Sequence, residues 1–159
     1  MPVVATPVTP TVLRVDEVRR FMRDYPNNNI LLDDVEFSQA DVDQGFEMVV
    51  GQFNVLPPQT SFTVENFPAN YKYLMLIGVT SYLMRSCAFL QLRNQATIQD
   101  GDVAPIGIDD KFPLYMQYAQ TLSAEFNQLA QQVKIQNNIE NAYGCVSSGY
   151  INTYRFNRV

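Results

Sequence analysis

The residues best suited to chemistry are Asp33, Asp34 and Glu36, with Asp41 and Asp43 a few positions on. Carboxylates grouped in this way could supply the oxygen ligands that Mg2+ or Ca2+ prefers. A metal held there could support hydrolysis. The competing reading is a solvated acidic loop before a helix whose N-terminus favours negative charge, and it is preferred. The chain has no histidine, so the commonest general base and metal ligand is missing. Neither a Ser-His-Asp nor a Cys-His arrangement can be built. Cys87 and Cys145 form no Cys-x-x-Cys pair, which argues against structural zinc. Gly45 and Gly51 are not a phosphate loop, because no Lys follows them in the required place. Asp100-Gly101-Asp102 reads as a turn. The expectation is a non-enzyme with no catalytic site, cofactor or metal of its own.

Hydrophobic periodicity gives the frame that holds these residues. A first helix is expected over 13–24, with Val15, Val18, Phe21 and Met22 at helical spacing and Asp16 and Glu17 in its first turn. Pro26 and the Asn27-Asn28-Asn29 run stop it. Ser38 is a good N-cap for the second helix, with Asp41 as partner in a capping box. Val42, Phe46, Val49, Val50 and Phe53 form its apolar face, and Pro57-Pro58 ends it. Gly45 and Gly51 weaken that helix but could admit a close neighbour. Residues 55–68 are turn-rich, and residues 60–64 could be a short strand.

Pro68 suits the first turn of a third helix running to about Thr97, roughly 40 Å long. It is apolar around much of its circumference, so it should be central. Residues 73–92 hold a single charge, Arg85, and could span a bilayer by length. Thr80, Ser81, Ser86 and Gln91 dilute them and no charged flank marks an orientation, so a buried helix is expected and no membrane. The fourth helix starts near Asp109 or Asp110, tolerates Pro113 in its first turn, and ends near Tyr143, with Gly144 as C′ residue. Its stripe is Tyr115, Tyr118, Leu122, Phe126, Leu129 and Val133. The fold class is therefore all-α: a four-helix bundle-like single domain with a long central third helix. An extended arm (1–12) precedes the helical core (13–144), and a tail (145–159) follows it. Three prolines and no basic region in residues 1–10 favour an arm over a signal peptide.

With 159 residues and 47% apolar content, one folded domain is expected. Charged residues are 17% of the chain, under the usual quarter. From Asp24 to Tyr71 there are eight acidic residues and no basic one. Such a distribution opposes nucleic-acid binding, which needs clustered Lys and Arg, and permits head-to-tail contact between basic and acidic patches. The fourth helix carries ten neutral amides: Gln117, Gln120, Asn127, Gln128, Gln131, Gln132, Gln136, Asn137, Asn138 and Asn141. A solvated helix face usually carries charge. Neutral amides suit contact with a neighbouring subunit, or a surface past which a polyanion slides, beside plain exposure. Tyr71, Tyr73, Tyr82, Tyr115 and Tyr118 read as core. Cys87 and Cys145 read as reduced, partly buried thiols, with a bridge between subunits as the alternative.

Certain segments, in this order, carry a resemblance: LLDDVEFS at 31–38, FNVLPPQT at 53–60, NFP at 66–68, RNQ and QDGD within 93–102, the DK pair at 110–111, and KIQNNIENAYGCVSSGY at 134–150. Over roughly residues 13–152 the chain resembles the head-to-tail connector, or adaptor, proteins of tailed bacteriophages. That resemblance implies a structural virion protein, assembled in the host bacterial cytoplasm into a homo-oligomeric ring, usually of twelve copies. The ring would sit in the neck between the portal protein and a downstream neck or tail-terminator protein, and genomic DNA would pass through without specific binding. It also implies a tail that reaches onto a neighbour, here Tyr150, Ile151, Tyr154, Arg155, Phe156 and Arg158, together with the Pro-rich arm. Cys145 stands where a second Gly is expected after Gly144, which puts a thiol near that interface. Alternatives are a head-completion or stopper protein, a metal-dependent hydrolase using Asp33, Asp34 and Glu36, and a membrane-inserted bundle using residues 73–92.

Overall fold

Ser38 and Asp41 cap each other where the second helix begins. The Asp41 amide donates to Ser38 Oγ at 3.2 Å, and the Ser38 amide donates to Asp41 Oδ2 at 2.9 Å. This satisfies two donors that a helix start otherwise leaves unpartnered. The computed structural model describes residues 13–29, 33–94 and 111–143. Within them the chain is all-α. Helix α1 is Val15–Met22, α2 is Gln39–Val55, α3 is Lys72–Asn94 behind a 3-10 turn at Ala69–Tyr71, and α4 is Lys111–Tyr143. No strand occurs among the described residues. The arm, the tail, Gly144 and the 98–108 loop lie outside them.

The α2 face is buried as its spacing requires: Val42, Phe46, Val49, Val50 and Phe53 are all at most 3% exposed. Helix α3 is central. It packs on α2 and, most extensively, on α4, with Met75, Ile77, Val79 and Leu83 buried. It runs antiparallel to α4. The Ser81 hydroxyl donates to Ala119 O at 2.8 Å, while Tyr73, nearer the start of α3, donates to Glu125 Oε1 at 2.9 Å. Ala69–Arg93 is long and apolar enough to cross a bilayer, yet it is the core helix here, with 56% of its apolar window buried inside the protein. An exposed Lys72–Glu17 ion pair (2.5 Å) ties α1 to the start of α3. It lowers the Glu17 pKa, chiefly through that hydrogen bond.

Several expectations shift. Helix α1 is shorter, because Arg23 adopts a left-handed φ of 60° and the Asp24 amide turns back to Arg19 O at 3.0 Å. Phe21 is 43% exposed, since a face built on positions 15, 18 and 22 leaves 21 off to one side. Pro68 lies just before the 3-10 turn, in extended conformation. Residues 60–64 form no strand. Their polar groups go to Asn54, whose Oδ1 accepts from Phe62 N (3.0 Å) and Thr60 Oγ1 (2.9 Å) while Nδ2 donates to Phe62 O (2.7 Å). On α4, Ala119 and Ala130 join Leu122 and Phe126 in the core, whereas Tyr118 is 49% exposed. Tyr73 is exposed as well.

Two glycines separate close approach from open space. A Cβ on Gly78 would lie 2.7 Å from Val49 Cγ1 and 2.9 Å from Phe126 Cδ2, so α2, α3 and α4 meet where a methyl is missing. A Cβ on Gly51 would meet nothing within 4 Å. Gly78→Ala is therefore expected to destabilise by about 2 kcal/mol through overpacking. Gly51→Ala should stabilise by about 0.5–1 kcal/mol through helix propensity. Urea denaturation of the two variants checks this, and equal effects would refute the packing account.

Candidate functional site

In the acidic loop and the helix start after it, the carboxylates of Asp34, Glu36, Asp41 and Asp43 each take a separate partner. Asp34 Oδ1 accepts from the Val35 amide at 2.7 Å. Glu36 Oε1 accepts from the Cys87 thiol at 2.9 Å. Asp41 belongs to the cap, and Asp43 accepts from Gln39 Nε2 at 3.1 Å. Among the described residues no group of three or more His, Cys, Asp or Glu is placed to hold a metal ion. The residue that organises this loop is Asp24, which is 4% exposed. Its Oδ1 accepts from Glu36 N and Asn29 Nδ2, both at 2.6 Å, and its Oδ2 accepts from Phe37 N at 3.1 Å.

Cys87 is 3% exposed, inside the domain. Cys87 is thus a thiol outside any disulfide, packed inside the domain, in keeping with the reading of a reduced, buried cysteine. Tyr115 lies nearby. Burial raises its pKa first, and the charges of Glu36 and Cys87 add to the rise. Cys145 and the expected interface residues Tyr150, Ile151, Tyr154, Arg155, Phe156 and Arg158 lie outside the described residues.

The second polar centre is Lys134, 2% exposed. Its Nζ donates to Leu56 O (2.6 Å), Pro58 O (2.9 Å) and Thr60 Oγ1 (3.3 Å). It also sits 4.5 Å from the centroid of the Phe53 ring. That ring heads an aromatic cluster with Phe67 at 5.3 Å, edge-on, and Tyr71 at 5.9 Å. Burial lowers the Lys134 pKa. Loop carbonyls and an aromatic face satisfy this ammonium, so it is a fastener rather than a reagent.

The remaining feature is the outer surface of α4. At 33 residues this helix is about 50 Å long. Of its ten amides all but Asn127 and Asn137 are exposed. Asn127 accepts from Gln52 Nε2 at 3.0 Å, and Asn137 donates to the Tyr71 hydroxyl at 2.6 Å. Large apolar side chains lie among the exposed amides: Leu114 is 67% exposed, Ile135 58% and Ile139 52%. Phe89, Leu90 and Leu92, at the adjoining end of α3, are about half exposed.

No family model, curated protein or solved structure matches the chain.

Among the described residues, the outer face of α4 is the feature left uncovered by the fold. Asp24, Asn54 and Lys134 are the organising polar residues that sequence reasoning missed. For Lys134 a signal existed: it follows Phe126 and Ala130 at i+4 steps along the apolar stripe, where a charge is out of place. Asp24 carried no such mark within a long acidic run.

Proposed function

We propose that the chain is a structural subunit of a tailed-phage neck, forming a ring between portal and tail through which genomic DNA passes. The observation that carries this reading is the outer face of α4, where, among the described side chains, exposed amides and large apolar groups take the place of charges. Such a face can be buried against another subunit without desolvating ions. Its amides can hydrogen-bond across the contact, and its apolar groups supply the drive. The only basic side chain described on α4 is Lys134, which is buried. DNA moving past this face would meet no phosphate-binding cluster there.

Electron microscopy of the particle that carries the chain tests the proposal. The expected result is a ring of these subunits between portal and tail. Removing residues 150–159 should leave particles that neither retain DNA nor join tails. Finding the chain outside the neck, or a bore lined by Lys and Arg, would overturn the reading.

A further inference from the structure

Helix α2 places its outward glycine in an open groove. The groove encloses about 450 Å³, and its lining includes Glu47, Val50, Gly51, Phe62, Val64 and Glu65. That is within the range of about 300–1,000 Å³ typical of ligand-holding clefts. Val50 and Val64 give it an apolar floor, half-buried Phe62 adds an aromatic wall, and two carboxylates stand at its rim. One turn beyond Gly51, Val55 is 72% exposed and extends the apolar strip along the helix. Gly51 costs the helix about 1 kcal/mol relative to Ala, and no neighbour in the fold requires the missing Cβ. Bare backbone at this point lets an occupant come close.

We infer that this groove receives the chain's own C-terminal segment, residues 150–159. The chemistry is complementary. The groove lies in the stretch from Asp24 to Tyr71 that has eight acidic residues and no basic one. Residues 141–159 contain no Asp or Glu side chain, and they carry Arg155 and Arg158 around Phe156, with Tyr154 beside them. In that placement Tyr154 and Phe156 would fill the space over Gly51 between Phe62 and Val64, with a guanidinium set to pair with Glu47 at the rim.

Reach supports the same chain as donor. Lys134 already touches Leu56 and Thr60 at the end of α2, and α4 continues about 14 Å past it to Tyr143. From Leu56 back to Gly51 is about 8 Å along α2. The eleven Cα–Cα steps from Tyr143 to Tyr154 span up to about 36 Å, enough to return over that path. A tether this short gives an effective concentration on the order of millimolar, which favours the same chain over a second copy. The inference does not depend on the neck reading. If both hold, the groove keeps the segment in the subunit before assembly, and its release makes it available to a neighbour.

Disulfide trapping in the full chain tests the placement. In a Cys145→Ser background, Thr63→Cys and Asn157→Cys should bridge rapidly within one monomer, as read by non-reducing gel and peptide mass. Glu47→Lys and Gly51→Leu should each slow bridging about tenfold. Independently, the amide NMR signals of Gly51 and Val64 should move in a Tyr154→Ala/Phe156→Ala variant of the full chain. An absent bridge together with unmoved signals overturns the inference. So does bridging only between copies, or a rate indifferent to both groove variants.

Discussion

Lys134→Ala is expected to lower the free energy of unfolding by about 4 kcal/mol. Two effects add. Leu56 O and Pro58 O lose their charged donor, and hydrogen bonds to a charged group contribute about 1.5–3 kcal/mol. The aliphatic stem, 2% exposed with the rest of the residue, leaves a cavity against the Phe53 ring. Lys134→Met keeps the stem and loses only the donor, so it should cost about half as much. Urea midpoints with an unchanged slope would measure both. A loss under about 1 kcal/mol for Ala would show that the ammonium is not holding the 56–60 loop.

The pH dependence of this site has an unusual sign. Burial lowers the Lys134 pKa below its ordinary 10.5. Between the folded value and 10.5 the unfolded chain therefore binds the additional proton. Stability from this group rises as pH increases through that window. Tyr73, raised chiefly by its hydrogen bond to Glu125, and Tyr115, raised chiefly by burial, act oppositely above pH 10.0. The difference between wild type and Lys134→Met isolates the lysine and should show the alkaline rise.

Asp24→Ala should cost about 3 kcal/mol. It strips acceptors from the Glu36 and Phe37 amides and from Asn29 Nδ2 in one step, and Phe37 is itself a core residue. Asp24→Asn retains one acceptor oxygen and should fall between Ala and wild type. Hydrogen exchange supplies a local readout: the Glu36 and Phe37 amides should lose protection in Asp24→Ala before the α3 and α4 amides do. Unaltered exchange at both positions would refute the clamp.

The helices were legible in sequence because apolar spacing is a local property. The Ser38/Asp41 cap and the five-residue α2 face emerge as read. What escaped was whatever depends on partners distant in sequence. Asn54 folds residues 60–64 onto itself, so a β-prone string has no ladder to join. Gly78 is one of several glycines on paper and acquires meaning only once Val49 and Phe126 arrive from two other helices. Tyr73 and Tyr118 fit a helical stripe within one residue, and one residue is about 100° of rotation. Among the described residues the acidic cluster brings no three carboxylates together, for a similar reason. Proximity in sequence said nothing of Cys87, 51 positions away, which engages Glu36. The tail residues with the sharpest functional expectation lie beyond the described helices, so their partner has to be sought in the surfaces those helices offer.

The outer face of α4, where no described side chain is both charged and exposed, also bears on the surroundings in which a contact could form. Attraction between ions weakens as counterions accumulate, with a screening length of about 10 Å at 0.1 M salt and about 3 Å at 1 M. Amide hydrogen bonds and apolar burial carry no such dependence. A joint made through Ile135, Ile139 and their flanking amides would hold equally well beside a dense polyanion with its cloud of cations and in dilute buffer.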